Sequence, residues 1–64
     1  MLNKEIIDDY ASHIERYLSY RKTHSADETA VYIRPFFDAM IAKHGVLEWD
    51  SAGDEYEKNY NQRN

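Results

Sequence analysis

From Asn3 to Lys22 the chain holds neither glycine nor proline, and its apolar residues return at the spacing of an α-helix. Ile7, Tyr10, Ile14 and Tyr17 stand 3, 4 and 3 apart, with Ile6 and Leu18 widening the stripe. An unbroken run with that period predicts an amphipathic helix with its apolar side turned inward. Asp8, Asp9, Ser12, Glu15 and Arg16 fill the positions between and face water in this reading. Asn3 suits the N-cap, where its side-chain oxygen can accept a backbone N–H. The charges follow the helix dipole, with Glu5, Asp8 and Asp9 early and Arg21 and Lys22 in the last turn.

The helix ends at Thr23-His24-Ser25, and Ser25-Ala26-Asp27-Glu28 reads as a capping box opening a second one. Its stripe is Ala30, Ile33, Phe37, Met40 and Ile41, closing at Lys43-His44-Gly45 with cations in the last turn and glycine at C′. Val46 then occupies C″ and is expected to pack on Ile41. Pro35 interrupts this segment, since a proline removes one helical hydrogen bond and crowds the turn before it. Either the helix kinks near Arg34, or a short helix over 26–33 gives way to another starting with Pro35. The apolar period crosses the proline without a phase change, which favours the kink. A connection of two or three residues makes the two helices antiparallel neighbours.

Beyond Gly45, Val46-Leu47-Glu48-Trp49 forms an apolar patch able to fold back over the open side of the hairpin. Ser51-Ala52-Gly53-Asp54 imitates a capping box, so a short third helix is expected over 52–61. Tyr56 and Tyr60 give it a narrow apolar edge, Asp54 with Lys58 one supporting pair, and residues 61–64 are expected to fray. The predicted architecture is all-α: one domain over 1–64, with a hairpin body over 1–45, an acidic aromatic tail over 46–64, and a small three-helix unit as the result.

A chain of 64 residues buries only about 60% of its unfolded surface and leans on extra support. With no cysteine there is no disulfide and no thiolate zinc site, so oligomerisation or a partner becomes the expected support. No apolar run approaches the roughly 18 residues a membrane span requires, and Met1-Leu2-Asn3-Lys4-Glu5 does not open like a secretory signal. The expected location is cytoplasmic. Net charge is −4, with seven acids against six bases in 1–45 and five against two in 46–64. That balance disfavours a general nucleic-acid binder.

No cofactor, metal or catalytic constellation emerges. His13, His24 and His44 lack ligand spacing, the serines lack a nucleophile elbow, and two glycines cannot build a phosphate-cradling loop. The chain is therefore expected not to be an enzyme. Six tyrosines, two phenylalanines and one tryptophan are more aromatic surface than two stripes absorb, and such residues anchor interfaces. The candidate partner-binding residues are Trp49, Tyr56 and Tyr60 with the acids Glu48, Asp50, Asp54, Glu55 and Glu57. The expectation is a protein-binding module that regulates or inhibits a larger partner. The type is that of a phage or mobile-element accessory protein, for example one blocking the basic groove of a nucleic-acid enzyme.

The alternative uses the basic-aromatic cluster Arg16, Tyr17, Tyr20, Arg21, Lys22 and His24, of which Arg16, Tyr20, Arg21 and Lys22 would grip nucleic acid as a DNA-binding or recombination accessory factor. Ser25 to Thr29 with Tyr32 and Phe36-Phe37, after the helix over 10–18, resembles the core-binding helices of tyrosine recombinases across residues 10–44. The surface there is not basic, and no family is assigned. A third expectation is a homodimer with the stripes at its seam.

Overall fold

A computed structural model describes the backbone of residues 3–62 and the side chains of residues 3–58. Three helices follow one another: α1 Lys4–Arg21, α2 Ala26–His44 and α3 Val46–Gln62. The caps form as their residue types require. Asn3 accepts the Ile6 N–H at 3.0 Å and starts α1. Ser25 Oγ accepts the Glu28 N–H at 3.1 Å while Glu28 accepts the Ser25 N–H at 2.9 Å, completing the capping box of α2. Thr29 adds a hydroxyl bond to the Ser25 carbonyl at 2.8 Å and is fully buried beneath the turn. Arg21 donates to the His24 carbonyl at 2.9 Å, tying the end of α1 to the same turn.

Pro35 does not divide the second helix: α2 runs through it as one element. The carbonyl that loses its partner belongs to Val31, which is 76% exposed, and Pro35 is exposed as well. Water can therefore satisfy the orphaned group, which makes an uninterrupted helix tolerable.

The tail departs from expectation. There is no separate lid and no short helix at 52–61. Instead α3 begins at Val46 and contains Trp49 and the whole Ser51–Asp54 segment, so the second capping box does not form. The cause is Gly45. Its φ of 91° and ψ of 149° place it where side chains with a Cβ are strongly disfavoured. From there its N–H closes α2 on the Ile41 carbonyl at 2.8 Å, and its own carbonyl accepts the Trp49 N–H at 3.0 Å. A single residue serves as the end of one helix and the start of the next. Val46 is 55% exposed and is not the buried C″ contact the sequence suggested. Of the fraying expected over 61–64, residues 61 and 62 belong to α3, and residues 63–64 lie outside the described residues.

The core is small. Ile6, Trp49 and Ala52 are its buried apolar residues among those described, with Ile7, Tyr10, Met40 and Ile41 packed around them. His13 is also buried. The predicted stripe of α1 is therefore rotated: Ile6 and His13 are inside, whereas Tyr17 and Leu18 are exposed. The rotation follows from α1 having two neighbours on adjacent sides, α2 and α3, rather than one. On α2 the stripe is covered at its C-terminal end, while Ala30 and Phe37 remain exposed. The Cα envelope of 35 × 32 × 15 Å describes a molecule flattened along one axis.

Two substitutions test this packing. Trp49→Ala should cost about 3–5 kcal/mol as an aromatic-to-alanine core truncation. At about 0.05–0.15 kcal/mol per residue, the 64-residue chain has a stability of the same order, so urea denaturation should find the variant largely unfolded. Gly53→Ala would gain about 1 kcal/mol of helix propensity. Its Cβ, however, would meet the Tyr10 hydroxyl at 2.9 Å and the ring at 3.2 Å. Overpacking costs about 1–3 kcal/mol, so the melting temperature should fall rather than rise. A higher value would mean that the Tyr10 ring moves aside freely.

Candidate functional site

The three helices meet at an aromatic seam. Trp49 of α3, only 4% exposed, lies 4.9 Å between ring centroids from Tyr10 and 5.5 Å edge-on from His13, both on α1. His44 of α2 lies parallel to it at 6.1 Å. Tyr10 continues the seam to Tyr56 at 5.5 Å. Trp49 therefore belongs to the core and is not a surface anchor, a correction to its expected role. Tyr56 is half-buried against Tyr10, and the side chain of Tyr60 lies outside the described residues.

One end of the seam is fixed by charge. Asp9 accepts from Lys43 Nζ at 3.0 Å and from His44 Nε2 at 2.8 Å, with Glu5 3.7 Å from the same lysine. An ionised carboxylate only accepts, so the Nε2 proton of His44 is the one donated. The hydrogen bond from His44, then that from Lys43, holds the Asp9 carboxyl below the usual carboxylate range. His44 thus joins α1 to α2 while stacking on α3, a role that its position in the last turn did not disclose.

His13 is the unexpected member of the core. Its ring meets Trp49 and, at 6.2 Å, Phe37, and its Nδ1 has no hydrogen-bond partner among the described residues. Burial, followed by the neighbouring Arg16 charge, lowers its pKa. A histidine in phase with Ile6 and Tyr10 on α1 was the available signal, since positions 6, 10 and 13 share one helix face.

The acids of α3 do not form one patch. Asp50, Asp54 and Glu57, spaced 4 and 3 apart, share a face, whereas Glu48 and Glu55 lie seven apart on another. The first group lies near Tyr10: burial first, then Glu57, Tyr56, Asp50 and Asp54 raise its phenol pKa. All five acids are exposed. Beside the first group runs a groove of about 320 Å³ between α1 and α3, lined by Tyr10, Ile14, Leu18, Gly53, Tyr56 and Glu57. Leu18, at 54% exposure, is its open end.

The basic-aromatic cluster forms at the opposite end of the hairpin, but its groups are engaged with one another. Tyr20 stacks against His24 at 3.7 Å and against Tyr32 at 3.9 Å, with interplanar angles of 9° and 4°. Two parallel rings at those distances occupy both faces of Tyr20. Tyr32 leads to Phe36 at 5.4 Å, and the Arg16 guanidinium sits 4.2 Å over the Phe36 ring. Arg21 is bonded to the turn carbonyl of His24. Lys22 alone of the four candidate residues is exposed with no such partner among the described residues. A nucleobase needs a free aromatic face to stack on, and this cluster offers none on Tyr20.

Among the described residues no three metal-ligating side chains come together, and no helix is long and apolar enough to cross a membrane. Comparison with family models, with curated proteins and with solved structures returned no match.

The depressed pKa of His13 sets an acid sensitivity with a definite sign. The unfolded chain binds a proton at this residue near the ordinary pKa of about 6.5, before the folded chain does. Stability should therefore fall as the pH drops below that value and continue to fall until the lower folded pKa is passed. Asp9 acts later: its stabilising contribution is complete above the ordinary carboxylate pKa and is lost as the pH falls through its lower folded value. Denaturation of the parent and His13→Leu at pH 7 and pH 5 should show a smaller loss in the variant. Equal losses would mean that His13 titrates normally in the fold.

Proposed function

We propose that this chain is a non-enzymatic protein-binding module that regulates or inhibits a larger partner. The observation that carries the reading is the distribution of its apolar surface. Leu18, Val31, Val46 and Leu47 are more than half exposed, Leu47 by 78%, while few residues are buried. A domain this small gains from covering such surface, and exposed apolar side chains are what a partner would cover. The acids on α3 give the contact a sign: they favour a basic surface on the partner and disfavour nucleic acid. The nucleic-acid reading is weakened by the closed state of its own residues, with Arg16 and Tyr20 already satisfied within the hairpin.

The test is affinity capture of the tagged chain at micromolar concentration from its native source. A partner recovered in stoichiometric amount, and competed away by the untagged chain, supports the reading. Capture of nothing stoichiometric, together with a salt-sensitive shift of duplex DNA, would replace it with the nucleic-acid alternative. Sedimentation at two concentrations separates a module awaiting a partner from a self-contained homodimer.

A further inference from the structure

We infer that the groove between α1 and α3 is the docking site, and that its occupant is a cationic amphipathic helix presented by the partner protein. This inference rests on the protein-binding reading above and specifies its surface. The floor of the groove is apolar and of mixed origin. Tyr10, Ile14 and Leu18 form one i, i+4, i+8 row along α1, while Gly53 and Tyr56 supply the opposite wall from α3. Gly53 matters because the missing side chain lets α3 approach the Tyr10 ring and leaves the wall smooth. A recess of about 320 Å³ is at the small end of the roughly 300–1,000 Å³ that enclosed ligands occupy. It is open along its length, which suits a row of inserted side chains better than an enclosed molecule. Apolar anchors at i, i+3, i+4 and i+7 of a helix lay into such a row.

Charge selects among possible occupants. Glu57 lines the groove, and Asp50 and Asp54 share its side of α3 closely enough to act on Tyr10. Among the described residues no lysine or arginine lines it. A second copy seated symmetrically would set this acidic rim against itself, and an anionic membrane would be repelled for the same reason. A helix with lysine or arginine flanking its apolar stripe meets both features at once. The basic ends steer the encounter, and the apolar row supplies the contact.

The test is a displayed library of helices, with both flanks and stripe varied, panned against the full chain. Enriched members should carry an apolar stripe flanked by lysine or arginine. Leu18→Lys should weaken their binding about tenfold or more by placing a charge in the groove. Glu57→Lys should weaken it less and reduce its salt dependence. Both positions are exposed, and unchanged circular dichroism together with unchanged Trp49 fluorescence establishes that the variants stay folded. Enrichment of acidic or neutral helices overturns the inference, as does binding indifferent to Leu18→Lys. A concentration-dependent dimer abolished by Leu18→Lys overturns it in favour of a second copy. If Leu18→Lys still captures the natural partner at full yield, the groove is wrong while the protein-binding reading stands.

Discussion

Trp49 is the buried ring on which all three helices of this molecule converge. Tyr10 and His13 reach it from α1 and His44 from α2, and it carries α3 into place itself. Short helices are marginal alone in water, so each of the three exists because it can close on this ring or on residues beside it. The Asp9–His44 bond ties α2 to α1 next to the same indole. Removing the ring would leave α1 and α2 joined by the Asp9 bonds to Lys43 and His44 and by the Tyr20–Tyr32 stack, with α3 deprived of its main anchor.

The residues that build the hairpin were readable in the chain. Asn3, Ser25 and Glu28 are capping types standing before apolar periods, and local hydrogen bonds of that kind depend little on the rest of the fold. The third helix was read less well. Ser51 and Asp54 have capping chemistry, but capping is needed only where a helix starts, and Gly45 had already started one. The capping pattern assigns Gly45 to the end of α2 alone; that it also begins α3 depends on a backbone conformation that only the tertiary arrangement requires. Pro35 belongs to the same class, because whether it divides a helix turns on which face meets water.

The candidate residues were legible as chemical types but not as places. Trp49 and Tyr10 have the same aromatic character as Tyr56, yet the first is core and the last lines a groove. Periodicity assigns a residue to a face of its own helix and does not say which neighbour covers that face. The acids of α3 illustrate the limit. Counted in sequence they make one tail, whereas wound into a helix they divide into a group near Tyr10 and a group away from it. His13 was hidden for the complementary reason: a polar residue in an apolar phase is invisible to a search for apolar stripes.

The one-residue link at Gly45 places the molecule under a constraint of length as well as of composition. An α-helix turns about 100° per residue, so one residue added or lost between Gly45 and Trp49 would swing the indole a quarter-turn or more away from Tyr10 and His13. The Cβ-free position itself faces open space, with nothing within 4 Å, so no packing would hold a longer link in register. Descendants of this chain can therefore exchange surface residues along α3 far more readily than they can change the number of residues that precede its tryptophan.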